Sequence, residues 1–427
     1  MTLRVAIMAG TIHGNRGAEA MLCTVIGCLR DRLGDCTFEI FSYYPREDRE
    51  LVDDPGVGIV NATPFYTACV LFPCSILLAI CRILRLGWCE QFFPTAVQAA
   101  GDSDILLDIA GVSFVDGREV FLLYNTLSLW PFMLLGVPVL KLAQAIGPIE
   151  SLPNRIGAGI TLPRCTRIFA RGDQTYAYLC EKGYQNADRA ADVAFLYQDR
   201  FTLSNEPLQQ DTTQWLSQRS LATPTVALCP SAVLYKQGGA EYLKFVVTLV
   251  DQLLDAGRRV ILFPNATRLH SESPRNNDLR VIGQVIALSR FAGSDRLAWV
   301  DHDINTQAIR VIITHADVVV TSRFHAMIAA LSLAVPVFVV GWSHKYREVM
   351  ADFHQHEWEC DWQGADGSRI ARQVDRLMAK RDEVVQILRS RLPEVYSRSE
   401  SQIDWVVRYL HEKTDLASTQ MSTDQHG

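Results

Sequence analysis

Two apolar, β-branched runs in the second half of this chain each end in a basic cluster, and few folds accommodate that pattern. Val318-Val319-Val320 runs into Thr321-Ser322-Arg323-Phe324-His325-Ala326. Val337-Phe338-Val339-Val340 runs into Gly341-Trp342-Ser343-His344-Lys345-Tyr346. Between them, Ala326 to Ala334 reads as a short apolar helix. Strand, helix and strand of these lengths make a parallel βαβ unit. In such units ligands gather beyond the carboxyl ends of the strands. Arg323, His325, His344 and Lys345 are therefore expected to share one mouth, and their charge predicts a small, highly charged anion as guest.

The same alternation runs through the chain. In the first half, strands are expected at Arg4 to Met8, Phe38 to Ser42, Asp104 to Asp108, Pro138 to Leu142 and Arg167 to Ala170, with helical patterns between them. A polar stretch from Gln198 to Ala222 reads as a linker. Beyond it, strands are expected at Val226 to Cys229, Val260 to Phe263 and Leu297 to Val300, ahead of the two runs above. The predicted fold is α/β: two tandem doubly wound, Rossmann-like domains in a glycosyltransferase-B-like arrangement with an interdomain cleft. The expected boundaries are 1–205 for an amino-terminal, acceptor-side domain and 223–395 for a carboxyl-terminal, donor-binding domain. A last helix follows over 396–412, then a polar tail over 413–427 expected to be disordered.

Composition narrows the function. A net charge of −6 over 427 residues lacks the basic footprint of a general nucleic-acid binder, so no nucleic-acid partner is expected. Eleven cysteines are scattered without a Cys-x-x-Cys pair, and His270, His302 and His315 lack evident co-ligands. No metal and no cofactor is expected, and the thiols are expected to be reduced, as in a cytoplasm. One segment stands apart. Phe65 to Cys81 is apolar except for Thr67 and Ser75, with Arg82, Arg85, Trp88, Phe92 and Phe93 behind it. Across 65–93 three readings stay open: a buried helix, a monotopic helix on the inner face of the membrane, and a span.

The other strand exits carry the remaining candidates. His13-Gly14-Asn15-Arg16-Gly17 follows the first strand and opens a helix, as either a structural turn or a ligand-contacting one; Gly14 and Asn15 are the candidates. Ser113 and Asp116, after Asp108-Ile109-Ala110-Gly111-Val112, are candidates for sugar hydroxyls, and Gln144 for a polar contact. In each case loop or turn structure explains the residues equally well. Arg171, directly after a strand, has the fork geometry that grips a carboxylate or phosphate. His325 is the candidate acid/base, because imidazole exchanges protons near neutral pH.

Taken together these residues resemble the polysaccharide pyruvyl transferase family. The resemblance rests on Ser322-Arg323-Phe324-His325-Ala326, Gly341-Trp342-Ser343-His344-Lys345-Tyr346, Ala145-Ile146-Gly147-Pro148, Leu123-Tyr124-Asn125 and Ala170-Arg171. It implies phosphoenolpyruvate as donor, ketal formation, and a saccharide acceptor that is often lipid-linked. It associates Arg171, Arg323, His325 and Lys345 with the donor; His344 joins them by position. Three departures fall on the acceptor side: Ala18 where the family carries an acid, Ala110-Gly111-Val112 in place of a glycine run, and Gly172 between Arg171 and Asp173. Two rival readings are a nucleotide-sugar glycosyltransferase, for which no clear ribose-binding acid follows Lys345 apart from Glu348, and a catalytically silent saccharide-binding protein. Homo-oligomerisation is left open.

Overall fold

The computed structural model describes residues 2–218, 223–268, 276–341 and 344–424, with His344 and 416–424 described by backbone alone. Trp342, Ser343 and His270 lie outside the described residues, as does the side chain of His344.

The chain divides into two compact units, and neither is one continuous stretch. The first takes Met1–Thr11, Met21–Leu203 and Tyr396–Gly427; the second takes Ile12–Ala20 and Ser204–Val395.

The first unit is built on β1 (Leu3–Met8), β2 (Cys36–Ser42), β3 (Val57–Asn61), β4 (Ile105–Asp108), β5 (Val112–Ser113), β6 (Val139–Ile146), β7 (Arg167–Arg171) and β8 (Ala187–Ala190). Their order is β3-β2-β1-β4-β6-β7-β8, with β5 added beside β6, and the pairs are parallel. The order reverses direction between β1 and β4, where a doubly wound sheet opens its ligand crevice. The central strands are continuous apolar runs because helices cover both faces; β4 and β6 are buried along their whole length. The core on one face joins Ala6, Leu106 and Val139 to Leu71, Leu78, Val97 and Phe132.

The second unit repeats the plan with β9 (Thr225–Cys229), β10 (Arg259–Leu262), β11 (Leu297–Trp299), β12 (Val318–Thr321), β13 (Val337–Gly341) and β14 (Glu359–Asp361). The order is β11-β10-β9-β12-β13-β14, again parallel, and its switch point lies between β9 and β12. Between β12 and β13 runs the helix Phe324–Ser332, with Ala326, Met327, Ile328, Ala330 and Leu331 buried.

Several elements differ from expectation. The stretch Phe121 to Leu135, one of the helical patterns expected between the first-half strands, is broken into Leu122–Leu127 and Trp130–Leu134, with Pro131 in the first turn of the second piece. The carboxyl-terminal helices are Gly367–Ala379 and Arg381–Asp424. The latter carries Pro393 internally and continues into the polar stretch expected to be disordered. No glycine or proline interrupts the sequence between Pro393 and Asp424, so nothing local stops the helix. The apolar segment forms one helical run, Pro64–Ile83, with a π-helical turn over Thr67–Leu71. Only 22% of its most apolar window is buried, which removes the buried-helix reading. All eleven cysteines are free thiols.

Candidate functional site

At the switch point of the second sheet, β12 ends in Thr321 and the chain turns through Ser322 and Arg323 into the helix Phe324–Ser332. The turn is held from several sides. The Arg323 backbone N–H donates to Thr321 Oγ1 at 2.9 Å. Tyr242 Oη–H donates to Ser322 Oγ at 3.2 Å, and Tyr346 Oη–H donates to the Ser322 carbonyl at 3.1 Å. Tyr242 in turn accepts from the Ser231 N–H at the exit of β9. Two tyrosines from separate elements thus fix the segment that presents Arg323 and His325.

The Arg323 guanidinium is ion-paired with the fully buried Asp278 through Nε and Nη2, and its Nη1 donates to Asn276 at 2.9 Å. Burial acts to lower the Arg323 pKa, and the Asp278 carboxylate more than offsets it, so the group is held above its ordinary value. Asp278 also accepts from the backbone N–H groups of Ala232, Asn265 and Ala266, which lie beyond β9 and β10. One carboxylate therefore locks three strand exits and the orientation of the arginine.

His325 lies in the first turn of its helix, behind Arg323 at the N-cap, whose side chain makes no capping bond. That end carries the positive pole of the helix dipole. Its imidazole packs against Gly17: a Cβ built at residue 17 would come within 2.0 Å of its Nδ1. Gly17 opens the helix Arg16–Leu33, and Asn15 caps that helix, its Oδ1 accepting from the N–H of Gly17 at 3.1 Å and of Ala18 at 3.4 Å. The Lys345 ammonium sits 4.8 Å from the centre of the Phe324 ring, next to His325. Within the second unit, then, Arg323 and His325 flank Phe324, whose ring lies near the Lys345 ammonium, and Gly17 packs against the imidazole.

A second buried ionic group underlies that turn. Arg16 pairs with Glu19, Asp303 and Glu206. Desolvation works to lower the Arg16 pKa, and these three carboxylates raise it beyond that. Crowding has the opposite consequence for Glu206. Burial, then the Asp303 carboxylate, push it up to about 7, against the pull of Arg16. Sequence reasoning missed Asp278, Asp303 and Glu206, because single acids at a helix start or in a linker carry no local signal.

The pH dependence follows in sign. Glu206 binds its proton more tightly folded than unfolded, so its contribution is fully present below about 4.5 and is lost as pH rises through about 7. Glu206→Gln is expected to flatten the fall in melting temperature between pH 5 and pH 8. Calorimetry on both chains measures it, and parallel curves would refute the assignment.

In the first unit Arg171 is buried at the end of β7, its Nη1 donating to Asp192 at 2.8 Å and its Nη2 to the Gly111 carbonyl at 2.7 Å. It links the β4 exit to the β8 exit. Gly172, with φ of 86°, makes the turn into the following helix, in a backbone region that L side chains rarely adopt. Ser113 and Gln144 are a buried pair: Ser113 Oγ–H donates to Gln144 Oε1 at 2.6 Å, and Gln144 Nε2 donates to the Asp108 carbonyl at 2.9 Å. Gln144 lies inside β6, which continues to Ile146 through an irregularity between Lys141 and Gln144. Asp116 accepts from Asn154 Nδ2 and from the N–H groups of Glu150 and Ser151, at the start of the helix Leu152–Thr161. Desolvation would raise its pKa, but these hydrogen bonds outweigh it and hold the carboxyl at about 2. Of the other histidines, His302 lies 3.2 Å from Asp301 and His315 donates to the Val311 carbonyl.

The family model for polysaccharide pyruvyl transferase matches residues 15–344, which include the turn at Asn15, Arg171, and the whole Arg323 to His344 stretch. The chain belongs to the polysaccharide pyruvyl transferase family. Membership makes it a transferase of polysaccharide biosynthesis. Solved structures agree on the fold at low identity. A putative UDP-N-acetylglucosamine 2-epimerase from Listeria monocytogenes is 11% identical with a TM-score of 0.58, covering 91% of this chain and 90% of that one. MnaA of S. aureus, solved with UDP, is 10% identical with a TM-score of 0.61 over 96% and 97%. An E. coli structure titled for trehalose-6-phosphate and bound with UDP-2-fluoro glucose is 11% identical, with a TM-score of 0.56 over 95% and 99%. These place this pyruvyl transferase family member among glycosyltransferase-B-like α/β folds.

Proposed function

We propose that this chain transfers a pyruvyl group from phosphoenolpyruvate to a saccharide, forming a cyclic ketal and releasing phosphate. What supports the reading is that Arg323 and His325 flank the first turn of one helix at the exit of β12, with the Lys345 ammonium 4.8 Å from the ring of the intervening Phe324. Phosphoenolpyruvate places a carboxylate and a phosphate on neighbouring atoms. A guanidinium, an ammonium and a helix amino end suit that charge.

The reaction needs a proton on the methylene carbon, which leaves the adjacent carbon an oxocarbenium-like electrophile. One sugar hydroxyl attacks that carbon, the carbon–oxygen bond to phosphate breaks, and a second hydroxyl closes the ketal while both hydroxyl protons are lost. His325 is assigned the proton transfer to carbon. Arg323 and Lys345 stabilise the departing phosphate by charges already in place. Asp278 keeps the Arg323 fork from swinging, so its contribution needs no rearrangement.

Incubating the protein with phosphoenolpyruvate and saccharide acceptors, then following phosphate release and the mass of the sugar, tests this reading. Phosphate release matched by ketal on the sugar is expected. Consumption of a nucleotide-sugar with indifference to phosphoenolpyruvate would overturn it, and so would saccharide binding without turnover.

A further inference from the structure

The first unit exposes apolar side chains where a water-facing protein carries polar ones. On the helical run Pro64–Ile83, Leu71, Ser75 and Leu78 point inward, while Ile76, Leu77, Ile80 and Ile83 are exposed, the last at 80%. Phe65 is 79% exposed at its start; Leu84, Trp88 (66%) and Phe92 continue the patch beyond its end. The pattern does not stop at this segment. The π-helical turn packs against the helix Leu122–Leu127, which packs in turn on Leu152–Thr161, with Leu122 against Gly157. These neighbours expose Val120, Phe121 and Leu123, and then Leu152, Ile156 and Ile160 at a strict spacing of four. Three adjoining helices thus turn apolar stripes outward, although only the first announces itself in sequence. Single exposed leucines need no explanation, but a patch joined across three elements does.

The charges around the patch say what covers it. Arg85, Arg118, Arg155 and Arg164 are exposed on the same or adjoining segments. Among the acids there, Glu90 pairs with Arg82 and Glu150 with Lys182, while Asp116 and Glu119 accept hydrogen bonds from Asn154 and backbone N–H groups. A spanning orientation is excluded by packing, since Leu71 and Leu78 belong to the same core as Val97 and Phe132. Apolar stripes, edge aromatics and exposed arginines together match the headgroup zone of a bilayer.

We propose that this face docks on an anionic phospholipid bilayer, with Pro64–Ile83 lying in the membrane plane and the helices Leu122–Leu127 and Leu152–Thr161 widening the contact. The proposal rests on the surface alone and stands or falls apart from the reaction above.

Flotation of the full chain with phosphatidylcholine vesicles, and with vesicles containing one quarter phosphatidylglycerol, tests it. The chain is expected to float with the anionic vesicles. Leu77→Glu/Ile80→Glu and Leu152→Glu/Ile156→Glu are each expected to lower the bound fraction about tenfold or more, with unchanged circular dichroism. Replacing Arg85 and Arg155 by glutamine is expected to remove the preference for anionic lipid. Brominated lipid gives a second readout that needs no apolar substitution: it quenches the unmutated chain, and part of that quenching is lost in Trp88→Phe. Failure of the unmutated chain to float or be quenched would overturn the proposal. So would a Leu152→Glu/Ile156→Glu chain that folds and floats normally, or a lipid-free dimer that these variants dissociate.

Discussion

His325→Ala is expected to lower turnover by roughly 10²–10⁴-fold while much of the affinity for phosphoenolpyruvate survives. The expectation follows from the division of labour at the site. The guanidinium and ammonium carry the charge that holds the donor, whereas the imidazole is assigned the proton. Gly17→Ala provides a second route to the same end, because a methyl at residue 17 would come within 2.0 Å of the imidazole Nδ1. It should displace His325 without removing it, and so reproduce the loss of turnover in a chain whose catalytic side chains are all present. Arg323→Ala should do the reverse and weaken donor binding first. Donor titration by calorimetry, set beside single-turnover phosphate release, separates these effects. Equal losses of affinity in His325→Ala and Arg323→Ala would show that the imidazole is simply another donor contact.

The largest effect on stability is expected at Asp278. Its carboxylate is fully buried, holds Arg323 by an ion pair, and accepts three backbone N–H groups. Asp278→Ala leaves a buried guanidinium without its counter-charge and three donors without an acceptor. Breaking one side of such a pair typically costs roughly 3–5 kcal/mol. Total stabilities of domains are about 5–15 kcal/mol, so the second unit should unfold at much lower denaturant. Asp278→Asn keeps an acceptor oxygen and should fall between the two. Urea denaturation followed by circular dichroism measures the series. A midpoint unchanged in Asp278→Ala would mean that Arg323 finds another partner at no cost. The double variant Asp278→Ala/Arg323→Met should recover part of the loss, since no buried charge is then stranded.

The central strands were legible in the sequence for a simple physical reason. Buried on both faces, β9, β12 and β13 must be apolar throughout, so their runs stand out. The edge strands β3, β8 and β14 were not, whereas the edge strand β11 was. β8 reads Ala-Asp-Arg-Ala and β14 reads Glu-Cys-Asp, because an edge is half solvated and its composition resembles a loop. Helix ends suffered where a proline or a glycine acts in context: Pro131 broke a continuous apolar stretch, and the helix Ala232–Asp255 bends at Gly239.

The same logic separates the site residues. Arg323, His325 and Lys345 were visible because cations after apolar strands are conspicuous. Their counter-ions were invisible, since Asp278 meets Arg323 across 45 positions and Asp192 meets Arg171 across 21. Gln144 and Ser113 lie deeper than the local pattern places them, for a related reason. β6 continues past an irregularity and so draws Gln144 into its interior, where Ser113 of the neighbouring β5 hydrogen-bonds to it.

The way the chain is shared between its two units bears on how it can be made and divided. Residues 12–20 leave the first unit to build part of the second, and residues from 396 onward return to the first. Cutting at the polar stretch near residue 205 therefore yields no pair of autonomous fragments: one lacks its closing helix, with the Ser399 and Trp405 contacts to Asp192 and Phe169, and the other lacks Arg16 and Gly17. During synthesis, the early sheet must wait for the last helix to emerge before its final contacts can form, so the first unit to be translated is also among the last to be finished.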